Sequence, residues 1–148
     1  MLLVLFRAGG ILYGVDALRV VEVVPRVASR PVPHAHPWML GVLSYRGRIV
    51  PMIDFGVLTG AAPSRQVLST RAILANATGG AGVSRLIGLV ADDVSRVKTV
   101  KDGNGSGPAL RLGAAPYLGA LIRLDEGLVQ LVDVDRLPTD AATTSEGG

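Results

Sequence analysis

One five-strand unit is written twice into this chain, and that repeat leaves few architectures open. Tyr13-Gly14-Val15 leads into Val20-x-x-Val23, and seventy-four positions on Ile87-Gly88-Leu89 leads into Val94-x-x-Val97. Ile49-Val50-Pro51-Met52-Ile53-Asp54 precedes Leu58, and seventy-nine positions on Leu128-Val129-Gln130-Leu131-Val132-Asp133 precedes Leu137. Internal similarity at a fixed spacing marks a supersecondary unit used more than once. The five-residue difference between the offsets falls between the matched segments, where the loop Lys101 to Pro108 can absorb it.

The unit itself reads as strands. Short apolar runs, alternating or continuous, recur between turn residues, which is the strand signal. Strands are expected near Leu2–Arg7, Ile11–Asp16, Val20–Val24, Leu40–Arg46 and Arg48–Ile53. A second series is expected near Thr70–Ala75, Leu86–Ala91, Val94–Val100, Tyr117–Leu124 and Leu128–Val132. Gly9-Gly10 predicts a tight hairpin, and Thr78 to Gly82 the tip of a longer one. Helices can only be short: Asp54 to Leu58 before Gly60, and Asp133 to Leu137 before Pro138, with each Asp as N-cap. Another turn is expected at Ala35–Leu40. Five short antiparallel strands ending in a helical turn would close as a small barrel and remove the sheet edges. The expected fold is therefore all-β: two five-stranded SH3-like antiparallel β-barrel subdomains sharing an apolar seam. Lobe one would cover about 1–60 and lobe two about 66–138, in one domain over 1–138. Residues 139–148 are small and polar, the composition of a disordered tail.

The chain's 148 residues allow roughly two-thirds of the unfolded surface to be buried without staples. Having no cysteine, it has no disulfide framework, thiolate metal site or thiol nucleophile. Half of it is hydrophobic (49%) and 18% is charged, below the ~25% of an ordinary domain; such a surface is suited to being covered by partners. No apolar run approaches the ~20 residues of a membrane helix, and no signal peptide is read at the N-terminus. Net charge is +3, with 13 Arg and 2 Lys. Residues 1–71 carry eight arginines against Asp16, Glu22 and Asp54, leaving +5; residues 72–148 carry seven basic and nine acidic residues, leaving −2. That imbalance makes a small-barrel nucleic-acid binder the alternative function, although no basic cluster exists and the six aromatics are scattered rather than placed to stack bases.

Catalytic signatures are absent: no G-x-G-x-x-G, no phosphate-binding G-x-x-x-x-G-K-[ST], no G-x-S-x-G. His34-Ala35-His36 could chelate a metal from a strand, but it sits between Pro33 and Pro37 with no acid beside it, and a solvated turn explains it. Asp92-Asp93 offers two carboxylates, yet neighbours on a strand point to opposite faces, and capping or solvation explains them. No catalytic residue, metal ligand or cofactor site is assigned. Arg46-Gly47 is less easily dismissed. The turn accounts for Gly47 but does not call for Arg46, whose five-donor fork beside Tyr45 and near Arg48 suits capture of a carboxylate; the plainer reading is a solvated turn arginine. Glu22 is a lone acid in Val20-Val21-Glu22-Val23-Val24. Alternation puts Val21 and Val23 on one face and Val20, Glu22 and Val24 on the other. Its partner is Arg19, Arg46 or another chain, unless it simply faces solvent.

In this order these residues resemble the CheW-like domain of bacterial chemosensory systems. Tyr13-Gly14-Val15-Asp16 and Val20-Val21-Glu22-Val23 look like that family's opening strands and V-x-E-V element. Gly41 through Arg46-Gly47 and Pro51 to Asp54-Phe55 are similar to its G-x-x-x-x-R-G-x-x-x-P-x-x-D-L signature, with Phe55 for the usual Leu and Ser44-Tyr45 for the common Asn-Leu. The run Ala115 to Gly119 and the short loops look like adaptors of Wsp-type surface-sensing pathways. The resemblance implies two five-stranded barrels and a cytoplasmic, non-catalytic adaptor without cofactor. It would pair barrel to barrel with the regulatory domain of a CheA-type histidine kinase and receive a chemoreceptor's helical hairpin tip between the lobes, with no nucleic acid and no direct membrane insertion. By position, Arg46, Gly47 and Glu22 carry over as contacts, beside Tyr45, with Val20, Val21 and Val23 as an apolar floor.

Overall fold

The computed structural model describes residues 1–25, 29–67, 69–78, 84–95, 97–99 and 115–138. The expected long loop at 101–108, the hairpin tip at 79–82 and the tail at 139–148 lie outside them. The ten expected strands are present: β1 (Leu2–Ala8), β2 (Ile11–Asp16), β3 (Val20–Pro25), β4 (Met39–Tyr45), β5 (Arg48–Asp54), β6 (Arg71–Thr78), β7 (Ser84–Ala91), β8 (Val97–Thr99), β9 (Leu118–Leu124) and β10 (Gly127–Val132). Helix α1 (Phe55–Leu58) starts where Asp54 accepts from the Val57 N–H, and a 3₁₀ turn at Val134–Arg136 starts at Asp133. A further 3₁₀ turn, Ala17–Arg19, is capped by Asp16; a three-residue turn leaves no periodicity to read. No helix among the described residues is long and apolar enough to cross a membrane.

The strands form two sheets, ordered β8-β1-β2-β10-β9 and β3-β6-β7-β5-β4. The division between the sheets is not the division between the halves of the sequence at 60–66. The chain starts in the first sheet, crosses at Ala17–Arg19, builds the whole second sheet with β3 to β7, and returns for β8 to β10. Each half gives two strands to one sheet and three to the other. The exchange runs through two parallel pairs with the same register. Leu131 faces Gly14 and Val132 faces Val15; Met52 faces Gly88 and Ile53 faces Leu89. The two sequence offsets, 74 and 79, carry one pair onto the other. Nor is either sheet wholly antiparallel, and among the described residues no strand pairing closes either one into a barrel. In the second sheet the free edge of β4 instead takes an isolated bridge, Arg30 with Val42.

Three apolar clusters explain why so many strands are apolar on both faces. Alternate residues of β1, β2, β6 and β7 (Val4, Phe6, Tyr13, Val15, Ile73, Ile87 and Leu89 among them) enter one core shared by the two sheets. The intervening residues fill a cluster private to each sheet: Val50, Met52, Ala72, Leu74, Leu86 and Val90 in the second, and Leu3, Leu5, Leu12 and Val129 in the first. Gly14 and Gly88 sit at equivalent places in these private clusters. A Cβ on Gly14 would come within 3.1–3.3 Å of Val129, Leu3 and Leu5, and one on Gly88 within 2.4 Å of the Met52 sulfur. Four of the six aromatics, scattered in sequence, converge on the seam. Phe55 meets Phe6, Tyr13 and Tyr117 edge-on with ring centroids 5.2, 4.8 and 5.9 Å away, an arrangement the ring quadrupoles favour.

Polar contacts pin the crossings. The inter-half linker is held by Asp54, a buried carboxylate that accepts from the Ser64 N–H and hydroxyl, and by Asp92, which accepts from the Arg65 N–H at 2.8 Å. Asp92 is thus a linker clamp, while Asp93 stays half-exposed beside the Arg65 guanidinium. At the first crossing Arg19 pairs with Asp135. The Thr78 N–H, donating to Asp135 at 2.7 Å, holds that carboxyl below its usual range, with the Arg19 guanidinium adding to the effect. A carboxylate lowered on folding contributes stability that is full above its unfolded value, about 3.9, and lost as pH falls through the folded one. We therefore expect acid unfolding, followed by circular dichroism, to be flatter below about pH 4 in Asp135→Asn than in the unaltered chain; superimposed curves would mean the contact is silent.

Candidate interaction site at the Arg46 hairpin

The residues singled out in the sequence are brought together at one corner of the second sheet. Tyr45 ends β4, Arg48 opens β5, and Arg46-Gly47 forms the two-residue turn between them. Both turn residues have positive φ, 48° for Arg46 and 77° for Gly47. That is the backbone of a type I′ hairpin turn, where Asn-Gly is the favoured pair. An arginine there carries strain that an asparagine would not. Its side chain is 76% exposed. The backbone of the turn thus supplies no reason for Arg46.

Glu22 approaches from the opposite edge of the same sheet. The Tyr45 hydroxyl donates to Glu22 Oε1, and Arg46 Nη2 lies 3.7 Å from the same oxygen. The Arg46 guanidinium also sits 5.2 Å above the Tyr45 ring, within cation–π range. The hydrogen bond to Glu22 stabilises the protonated phenol and pushes Tyr45 above its ordinary value. Glu22 therefore faces Tyr45 and Arg46; Arg19, the other candidate partner, is engaged with Asp135.

The simple alternation expected on β3 fails. Val20 pairs with Ala75 but Glu22 with Leu74, so Val21 is an extra residue in the ladder. This bulge places Val20 and Val23, expected on opposite faces, both against the shared core, while Val21 points outward. Of the expected apolar floor, Val21 is the exposed member. Ile49, 77% exposed and one residue beyond Arg48, extends the apolar surface at the hairpin; sequence reasoning passed over it, though its cross-strand partner Ser44 was a polar marker of an outward face. His34 has a positive φ in its turn and His36 stacks on Trp38 at 4.9 Å. Among the described residues no group of three or more His, Cys, Asp or Glu could hold a metal ion.

The corner offers an outward cation beside an acid and a phenol, with the exposed aliphatic side chains of Val21 and Ile49 on the same sheet. The profile of the CheW-like domain family matches residues 2–142. The chain is 32% identical over 100 residues to "Chemotaxis protein CheW" of Rhizobium meliloti (strain 1021), an alignment covering 68% of this chain and 61% of that protein's length. It is 31% identical over 141 residues to "Chemotaxis protein CheW" of Klebsiella aerogenes, covering 90% and 78%. Its fold is similar to the crystal structure of the scaffolding protein TtCheW from Thermoanaerobacter tengcongensis, with a TM-score of 0.78 at 20% identity over 97% of this chain and 92% of that one.

Proposed function

The chain belongs to the CheW-like domain family, and on that premise we propose that it is a non-catalytic adaptor coupling a chemoreceptor-type sensor to a CheA-type histidine kinase in the cytoplasm. The observation that carries the reading is Arg46: a strained, exposed arginine in a turn that asparagine would fill at lower energy, braced by Glu22 and Tyr45. Strain kept at a surface position points to a contact. In this reading Arg46 meets the kinase's regulatory domain, Gly47 permits the turn, Glu22 and Tyr45 hold the arginine, and Val21, with the edges of Val20 and Val23, forms the apolar floor. Each sheet serves as the wall of one SH3-like lobe, and the receptor's hairpin tip lies between the lobes. Several modest interfaces of this kind, acting together, supply avidity through effective concentration. The nucleic-acid alternative gains no support: the family and the relatives that the chain resembles are chemotaxis proteins, and Arg19, Arg65 and Arg136 each face a carboxylate.

Calorimetry with the regulatory domain of the chemotaxis-type kinase encoded in the same genome tests the reading. Arg46→Glu should weaken binding at least about 10-fold, the range expected for losing a charged hydrogen bond. Arg46→Asn should lose binding as well while unfolding at an equal or higher temperature, since it suits the turn. Full binding by both variants would remove Arg46 from the interface.

A further inference from the structure

We propose that Tyr45 is a specificity-determining residue of this face: it keeps the Arg46 guanidinium turned outward for a carboxylate on the partner, by bonding Glu22 and by lying under Arg46. The inference rests on the adaptor reading and deepens it.

Three facts carry it. Arg46 and Glu22 are adjacent, yet they do not form the two-pronged pair that arginine and a carboxylate favour. One nitrogen lies 3.7 Å from one oxygen, longer than a hydrogen bond. The oxygen it faces accepts the Tyr45 hydroxyl, which competes with Arg46 for that carboxylate. The guanidinium carbon lies 5.2 Å over the Tyr45 ring and the Arg46 side chain is 76% exposed, so its donors are accessible to a partner. Five donors in a planar fork match a carboxylate in two parallel bonds, so the fitting group on a protein partner is an Asp or Glu side chain. Tyr45 is itself anchored, because its body packs on the private cluster of the second sheet. Its hydroxyl and its ring therefore act from a fixed position.

With leucine at 45, Glu22 would lose the phenol and Arg46 its ring. The two charges could then close on each other, and the partner would have to compete with Glu22 for the arginine. The expected consequence is weaker binding that recovers when the competing charge is removed.

The test uses the full chain and the same kinase regulatory domain, titrated by calorimetry. Tyr45→Leu should weaken binding about 5- to 10-fold, and Tyr45→Phe, which keeps the ring, by a smaller factor, as lost preorganisation predicts. Adding Glu22→Gln to Tyr45→Leu should restore affinity to within about 2-fold, a rescue that a purely structural role for Tyr45 would not give. If Tyr45→Leu melts without cooperativity, Tyr45→Phe and its Glu22→Gln double variant carry the same comparison. Unchanged affinity in the Tyr45 variants, or no rescue by Glu22→Gln, would overturn the inference alone. No binding by the unaltered chain would overturn the adaptor reading and this inference with it.

Discussion

Gly41→Ala should destabilise the chain by about 3 kcal/mol or more, a loss on the order of 10 °C in melting temperature for a domain of this size. Two separate effects converge on this glycine. Its φ of 145° lies in a region that side chains rarely enter, and a Cβ there would stand 2.2 Å from the Arg30 carbonyl oxygen and 2.7 Å from its carbon. Those atoms are backbone and cannot rotate away. They are held by the two hydrogen bonds that join Arg30 to Val42, at 2.9 and 2.8 Å, so relief would require breaking the contact that covers the free edge of β4. Gly47→Ala provides the control. Its φ is also positive, at 77°, but nothing lies within 4 Å of the added carbon, so backbone strain alone remains, about 1 kcal/mol. Thermal denaturation by circular dichroism of both variants should separate them clearly. Equal losses would mean that the Arg30 carbonyl does not crowd position 41.

Separated halves of the chain should be unable to fold singly and able to fold together. Split after Gln66, the first part holds β1 to β5 and the second β6 to β10. Neither sheet can be completed from one part, because the first needs β8, β9 and β10 beside β1 and β2, and the second needs β6 and β7 between β3 and β5. Each part alone would expose half of the shared core and the lone edges of its strands. Refolded apart, neither should show a cooperative melting transition as a monomer; refolded together, they should give a one-to-one complex of native size by light scattering. A cooperative monomeric transition in either part would mean that sheets assort by half.

What could be read in the residues was local. Strand positions follow from apolar runs, and the turns at Asp54 and Asp133 from their caps, because side chain and backbone there are neighbours in the chain. The assignment of strands to sheets was not readable. The repeat shows that Val132 and Ile53 are equivalent, but not that Val132 lies beside Val15 rather than beside a strand of its own half; that choice is made by non-local pairing. Closure was overstated for the same reason: the edge of β4 is covered by Arg30, on an irregular stretch with no periodicity to announce it. At the hairpin, Arg46 and Glu22 stood out because each is polar among apolar neighbours. Their contact through Tyr45 did not, since it spans both edges of a curled sheet. On β3, one bulged residue overturned the alternation.

The matched registers at Gly14–Leu131 and Gly88–Met52 bear on ancestry. A polypeptide half as long, with the same strands, would complete its sheets only by meeting a twin, and its two ends would then be chemically identical. Fusion into one chain lifts that identity. Position 46 now carries an arginine in Tyr45-Arg46-Gly47, while its counterpart seventy-nine residues later is the aspartate of Leu124-Asp125-Glu126. The two hairpins, equivalent in the repeat, thus carry opposite charge on one scaffold.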